Sequence, residues 1–301
     1  MGFKIIGALL AVLLLAGCAG APPALRTPSP LPPSERPLSL LSPQPPTNPP
    51  PFPTAAVCAP LPLETQPPAE GSLRIGTFNI AAGRFCLTEK LGDAILRARV
   101  DIIGLQEVDV GAARSYRIHQ PAFLSLYADL PYYVFAPAIG TGSRGYGVAV
   151  LSRFPILEND RRLLPGLAAL PDTEQRVVCY CKIALPGGEI LHLFNTHLPY
   201  ESPEAITLGY RGLRDYIREK TAGEDYILLG DMNSEADITL RQFPELTCIN
   251  TRWDTVNYKI IDNIFASSGW RMFGLNVYET KTKFAVSDHQ LVVCRISKGE
   301  K

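Results

Sequence analysis

The chain has 301 residues, 29 of them basic and 29 acidic, so its formal net charge is zero. That balance excludes a global field that would recruit nucleic acid or an anionic membrane, and it leaves room only for a local basic patch. Apolar residues make up 46% of the chain, which is ample for a globular core, but the first quarter is not globular in composition.

Met1–Lys4 carries one positive charge, and Ile5–Leu15 is almost wholly apolar. The run is well short of the ~20 residues that span a bilayer. A basic start, a short apolar run and then small residues describe a secretory signal. It ends in Leu15-Ala16-Gly17-Cys18, which resembles the lipobox of bacterial lipoprotein signals. That resemblance implies a signal peptide over 1–17, lipidation of Cys18 and an exported chain anchored in a bacterial membrane. Ala19 after the cysteine resembles the sorting rule for the outer membrane of a two-membrane cell. Residues 18–71 form the next unit. Ala21–Glu70 holds 18 of the 28 prolines, so it is expected to make neither a helix nor a sheet ladder. It is expected to be a solvated tether with a reach of at most ~150 Å.

A single folded domain is expected over 72–298. Its first strand is Leu73–Ile80, followed by a helix over Leu87–Arg99 with Leu87, Leu91, Ile95 and Ala98 on one face. An apolar strand over Asp101–Glu107 ends in Gln106-Glu107. A helix follows Pro121, and strands are expected at Tyr132–Phe135, Tyr146–Leu151 and Gln175–Leu185. Pro186-Gly187-Gly188 turns the chain into a return strand, Glu189–His197. Pro203–Thr221 is amphipathic at helical spacing. Tyr226–Leu229 reads as a buried strand broken by Gly230, with Asp231 and Asn233 just past its end. Short strands near Thr247–Thr251, Lys259–Phe265, Met272–Tyr278 and Gln290–Ile296 complete the domain. The order is α/β with mixed sheets, not a doubly wound parallel sheet.

Several of these strands end or begin in residues that can do chemistry: Asn79, Glu107, His197, Asp231 with Asn233, and Asp288 with His289; a further segment, Lys259–Phe265, carries Asp262 within it. If their sheet edges meet, they form one cleft of carboxylates, imidazoles and amides, a set suited to a phosphate ester and its attacking water. The segments TFNI, IIGLQEVD, YGVAVLSR, FNTHL, ILLGDMNS, IIDNIF and VSDHQL, in this order, resemble the endonuclease/exonuclease/phosphatase superfamily. The resemblance implies a DNase I-like, four-layer α/β/β/α sandwich and hydrolysis of phosphate esters that depends on a divalent metal.

It also implies roles. Glu107 is the main metal ligand, with Asn79 and Asp288 nearby, and oxygen donors of this kind suit Mg²⁺ or Mn²⁺. Asp231 activates water, Asn233 holds a phosphate oxygen, His289 stabilises the phosphorane with Asp262 orienting its ring, and His197 contacts the scissile phosphate. Secreted relatives pair this last histidine with a middle-strand Glu that Tyr132–Pro137 lacks. Arg144, Tyr146 and Arg153 are candidate substrate contacts, whereas His119 and His192 read as structural. The expected activity is that of a monomeric, membrane-tethered nuclease with a phosphodiester substrate. The rivals are a phospholipid or sugar-phosphate hydrolase, and an inactive binding module. In an oxidising compartment, some of Cys58, Cys86, Cys179, Cys181, Cys248 and Cys294 are expected to pair. Cys179 and Cys181, two apart on one strand, are poor partners for each other.

Overall fold

A computed structural model describes residues 56–57, 71–166, 173–280 and 286–299. The expected signal, Cys18 and most of the tether therefore lie outside the described residues. Two sheets stack face to face. The first joins β1 (Ala56–Val57), β2 (Leu73–Asn79), β3 (Ile102–Val110), β4 (Tyr132–Gly140), β5 (Gly145–Ser152), β12 (Trp270–Tyr278) and β13 (Leu291–Lys298), in the order β1-β4-β5-β3-β2-β13-β12. The second joins β6 (Ile156–Leu163), β7 (Val177–Ala184), β8 (Ile190–His197), β9 (Tyr226–Asp231), β10 (Thr247–Cys248) and β11 (Asp262–Ala266), in the order β10-β11-β9-β8-β7-β6. Each sheet is mixed: β2/β3 and β8/β9 run parallel, and their other neighbours run antiparallel.

The helices cover the outer faces. α1 (Thr88–Ala98) and α2 (Gln120–Tyr127) pack Leu91, Ile95 and Leu124 against Phe78, Ile103 and Leu105 of the first sheet. α3 (Pro203–Thr221) lays Tyr210, Leu213 and Ile217 on Tyr180, Phe194 and Leu228 of the second. Ser202 caps α3 by accepting a hydrogen bond from the Ala205 N–H at 3.1 Å, and Pro203 occupies its first turn. Between the sheets lies a third core of Ile75, Val150, Cys179, Leu193, Leu229, Ile264 and Cys294. The four-layer α/β/β/α sandwich is therefore the observed fold, and its layers follow from which face of each element is apolar.

Two elements had no clear sequence signal. β6 is polar and lies at a sheet edge, and α4 (Ala236–Gln242) is a two-turn helix with little buried face. Two expectations need correction. The tether does enter a ladder, because Ala56–Val57 pair with Tyr132–Tyr133. Residues 54–59 are free of proline, so their backbone N–H groups can donate. The five described cysteines are all free thiols. Cys179, Cys181 and Cys294 lie in the core between the sheets, whereas Cys86 and Cys248 border the two outer cores. Cys179 and Cys181 Sγ are 3.9 Å apart, on the same side of one strand.

One polar bridge crosses the core. The Asn195 amide donates to the carbonyls of Leu105 (3.0 Å) and Ala149 (2.8 Å), and its oxygen accepts from Gln106 Nε2 (2.7 Å). Gly104 faces this side chain closely. A Cβ there would lie 2.1 Å from Leu229 Cδ1 and 2.8 Å from the Asn195 side chain. The bridge fixes β8 against β3 and β5, and so sets the position of His197 two residues on.

Candidate active site

Sheet register assembles the site. His197 lies opposite Asp231 across β8/β9, and Asp231 lies opposite Asp262 across β9/β11. Gly230 permits this close packing, since a Cβ there would fall 2.0 Å from the Thr196 carbonyl. From the first sheet come Asn79, at the end of β2, and Glu107. Glu107 is not at a strand end. β3 runs on to Val110, and Gln106-Glu107 form a bulge in which two residues face one on β5. Glu107 has a left-handed φ of 52°. The bulge sends Gln106 into the core, where it meets Thr77 and Asn195, and turns Glu107 to the cleft.

Asn79 joins the two sheets. Its amide nitrogen donates to Glu107 Oε1 at 3.2 Å and to Asp231 Oδ2 at 3.0 Å, and its oxygen accepts from the Ala81 N–H. Asp231 Oδ1 accepts from the backbone N–H of Asn233, and the Asn233 side chain donates to the Leu198 carbonyl. His289 Nδ1 donates to Asp262 Oδ2 at 2.8 Å, which directs Nε2 away from that carboxylate. Ser287 holds the segment in place, donating to the Asn79 carbonyl and accepting from the His289 N–H. Glu107, His197, Asp231, Asn233 and His289 line a cleft of about 570 Å³, and Asn79 and Asp262 underlie it, fully buried.

Electrostatics divide the two imidazoles. Burial opposes the charged form of His289, but the carboxylates of Asp262, Asp231 and Asp288 overcome it and push the ring up to about 10. Burial, with the cations of Arg176 and His289 nearby, holds His197 well below its usual value. Burial and the Asp262 carboxylate raise Asp231 well above the usual carboxylate range, against the pull of His289. The site thus offers one cationic ring, one neutral ring and a basic carboxylate, a division of labour that acid–base chemistry needs.

Arg176 gave no sequence signal. It is 5% exposed and lies just before β7. Its Nη1 lies 3.1 and 3.3 Å from the two His197 ring nitrogens, and 2.8 Å from Glu174 Oε1. A guanidinium, not a middle-strand carboxylate, is thus the nearest charged neighbour of His197. Arg84 and Arg114 also line the cleft. Arg84 donates to Glu107 Oε2 at 3.0 Å, whereas Arg114 grips Asp109 with two 2.8 Å bonds and stacks 5.1 Å from the Tyr146 ring. All three arginines stand outside strands, where neither period nor motif marks them.

Three expected residues fit less well. Arg153 is corrected: it follows β5, whose first residues carry Tyr146, so it sits at the far end of the sheet, paired with Asp101 at 3.0 Å and Asp129 at 3.6 Å. Arg144 is exposed in the β4–β5 turn and does not line the cleft, whereas Tyr146 does. Asp288 flanks His289 without lining the cleft, and its buried Oδ1 has no hydrogen-bond partner. His119 and His192 are structural, as expected. His119 caps α2, and His192 bonds Tyr180 and Glu224.

The donors fit a hard divalent cation. Carboxylates converge, and Asp262 Oδ1 and Asp288 Oδ1 are buried without partners. Asp231, Asp262 and His289 can bring three donor atoms within 4.8 Å of one another. There, however, the Asp262–His289 hydrogen bond already engages His289 Nδ1 and Asp262 Oδ2, which leaves Asp262 Oδ1 as the unpartnered oxygen of that pair. Glu107, facing the cleft, is the better-placed ligand.

Comparison with known proteins gives the same fold. No curated protein matches the chain. A functionally unknown conserved protein from Enterococcus faecalis is similar at 17% identity over 75% of this chain and 100% of that one, with a TM-score of 0.64. An endonuclease/exonuclease/phosphatase from Beutenbergia cavernae is similar at 20% identity over 76% and 72%, with a TM-score of 0.62. A mannosyl-6-phosphatase from Bacteroides thetaiotaomicron is similar at 16% identity over 74% and 99%, with a TM-score of 0.59. The family model for the endonuclease/exonuclease/phosphatase family matches residues 76–289, from the first core strand to the second histidine of the cleft, and the chain belongs to that family.

Proposed function

We propose that the protein is a divalent-metal-dependent phosphodiester hydrolase that works as a nuclease, exported and held at a bacterial membrane by lipidated Cys18. The observation that carries the chemistry is the Asn79 amide joined to Glu107 and Asp231 beside the Asp262–His289 pair. Mg²⁺ or Mn²⁺ would be held by Glu107, with Asn79 and Asp288 near it, and would polarise a phosphoryl oxygen when bound.

The remaining work belongs to the side chains. Asp231, raised in pKa and fixed by Asn79 and the Asn233 N–H, takes the proton of the attacking water. Attack forms the new P–O bond opposite the leaving oxygen, the bond from phosphorus to that oxygen breaks, and the alcohol leaves after its oxyanion takes a proton from water. The His289 imidazolium, locked by Asp262, stabilises the charge that builds on the phosphorane. Burial and the nearby cations make His197 a weak base, so it approaches a phosphate oxygen through its N–H and leaves the proton of the attacking water to Asp231. Arg176 Nη1 stands within 3.3 Å of both His197 nitrogens and can only donate, so whichever nitrogen it engages accepts and the other carries the proton. Asn233 stands at the rim as a further phosphate contact.

The test incubates the purified protein and its Asp231→Asn variant with plasmid DNA, single-stranded RNA, sphingomyelin and phosphate monoesters, with Mg²⁺, Mn²⁺ or EDTA. Cleavage of nucleic acid that needs both the cation and Asp231 supports the reading. Release of a lipid head group or of monoester phosphate, with nucleic acid untouched, replaces it.

A further inference from the structure

Soluble domains scatter their exposed apolar side chains, so a cluster calls for an explanation. Among the described residues, seven aromatic side chains are exposed. Tyr127 ends α2 and Phe273 lies in β12, both away from the cleft. The other five are Phe85, Tyr116, Tyr200, Trp253 and Tyr258. Each stands in a loop at the catalytic edge, after β2, β3 or β8, or before β11.

Their neighbours are as informative. Arg84-Phe85, Tyr116-Arg117, Arg252-Trp253 and Tyr258-Lys259 are four doublets of one aromatic and one cation, with all eight residues exposed. Tyr200 repeats the pairing in space, 5.8 Å from the Arg176 guanidinium. Two of the doublets are held in unfavourable backbone. Tyr116 and Arg117 have φ of 56° and 59°. Asn257 and Tyr258, at φ 44° and 64°, form the two-residue turn between the bridged Val256 and Lys259. Such a turn favours Gly at its second position, but here it lifts a tyrosine that is 96% exposed. Trp253 is braced by Asn250, whose side chain accepts from the Trp253 N–H and donates to its carbonyl.

We infer that this rim is a stacking platform for single-stranded nucleic acid, an inference that rests on the nuclease reading. A single strand repeats one flat base and one phosphate, and each doublet repeats one ring and one cation. Stacking supplies affinity without a large positive field, which suits a chain of zero net charge. In a duplex the faces of the bases are covered, so the platform selects unpaired strands. An anionic lipid surface would also draw on aromatics and cations, but it sets no one-to-one spacing between them, as the repeat of a single strand does.

The full chain is assayed on a 12-nucleotide single strand, on the same sequence as a duplex, and on bis(4-nitrophenyl) phosphate, a small diester with no base. Tyr258→Gly, Trp253→Ala and Phe273→Ala are compared with wild type. Wild type is expected to prefer the single strand to the duplex. Tyr258→Gly should hold or raise the melting temperature while KM for the single strand rises about fivefold or more, as loss of one stacked base requires. The ratio of kcat/KM on the single strand to that on the small diester should fall for Tyr258→Gly and Trp253→Ala, but not for Phe273→Ala. Equal ratios for all variants on a cleaved single strand would overturn the platform and leave the nuclease reading intact. If neither strand is cleaved while the small diester is, the nuclease reading fails instead. Loss of binding to phosphatidylcholine–phosphatidylglycerol vesicles in Tyr258→Gly, with the single-strand ratio unmoved, would assign the rim to a membrane.

Discussion

Gly104→Ala tests how the core holds the site. The new methyl carbon would lie 2.1 Å from Leu229 Cδ1, inside any tolerated contact distance, and Leu229 is fully buried. Overpacking of this kind costs about 1–3 kcal/mol. The methyl also lies 2.8 Å from the Asn195 side chain, whose three hydrogen bonds cross between the sheets. Weakening one or two of them adds about 1–2 kcal/mol at ~1 kcal/mol each. The total of about 2–5 kcal/mol is a large share of a typical domain stability of about 5–15 kcal/mol. For a domain of this size it should lower Tm by roughly 5–15 °C. Thermal and urea melts followed by circular dichroism measure it. Leu229→Ala in the Gly104→Ala background should cost less than the sum of the two single changes, by about 1 kcal/mol or more. A Gly104→Ala protein that melts within about 1 °C of wild type, or strictly additive costs, would refute the reasoning.

Other changes probe the chemistry and the chain's surroundings. Asp231→Asn should fold normally and lose nearly all turnover, and retention of about a tenth of the wild-type rate would show that another group is the base. Cys18→Ser should move the protein from the membrane to a soluble fraction; mass spectrometry of the mature N-terminus would expose an uncleaved signal instead. Non-reducing peptide maps should find no bridge among Cys86, Cys179, Cys181, Cys248 and Cys294, and a single mapped bridge between any two would contradict the fold as described. Burial holds His192 below its usual 6.5, against the pull of Glu224. The unfolded chain therefore takes up a proton that the folded domain refuses, and the stability present above 6.5 falls as pH drops below it. Melts at about pH 7.5 and pH 5.5 should show a smaller drop for His192→Gln than for wild type, and an equal drop would remove His192 from the account.

Much of the catalytic floor was legible because strands carry it. Asp231 and His197 follow from strands that end in polar residues, Asp262 from its place within an apolar segment, and pairing of neighbouring strands puts them side by side. Arg153 was misplaced for a reason that geometry supplies. It lies seven residues after Tyr146 along one extended path, roughly 23 Å at ~3.3 Å per residue, so the two cannot share an end of the sheet. Glu107 is legible, but its bulge is not, because the apolar run stops at Gln106 and the polar residues beyond it read as a strand end although β3 continues to Val110. Arg84 and Arg114 lie outside the expected strands, and nothing sets Arg176 apart at the start of its own; their place at the cleft depends on contacts such as Glu107, Asp109 and His197 and not on period. Asn195 read as part of a motif, whereas its role across the core depends on Gly104 of a strand ninety-one residues earlier.

The order of the sheets has a consequence for the company the protein can keep. Two open sheets have four outer strands, each a row of backbone groups on which a neighbouring molecule could build. Here the exposed row of β4 is partly capped by the short β1, and β10 is itself only two residues long. β12 is interrupted between Phe273 and Asn276, near Gly274 with its φ of 64°. β6 carries Glu158, Asp160, Arg161 and Arg162, charges that resist a flat partner strand. Each border is blunted by a different device, so copies crowded together at high local concentration would meet without fusing their sheets into a fibre.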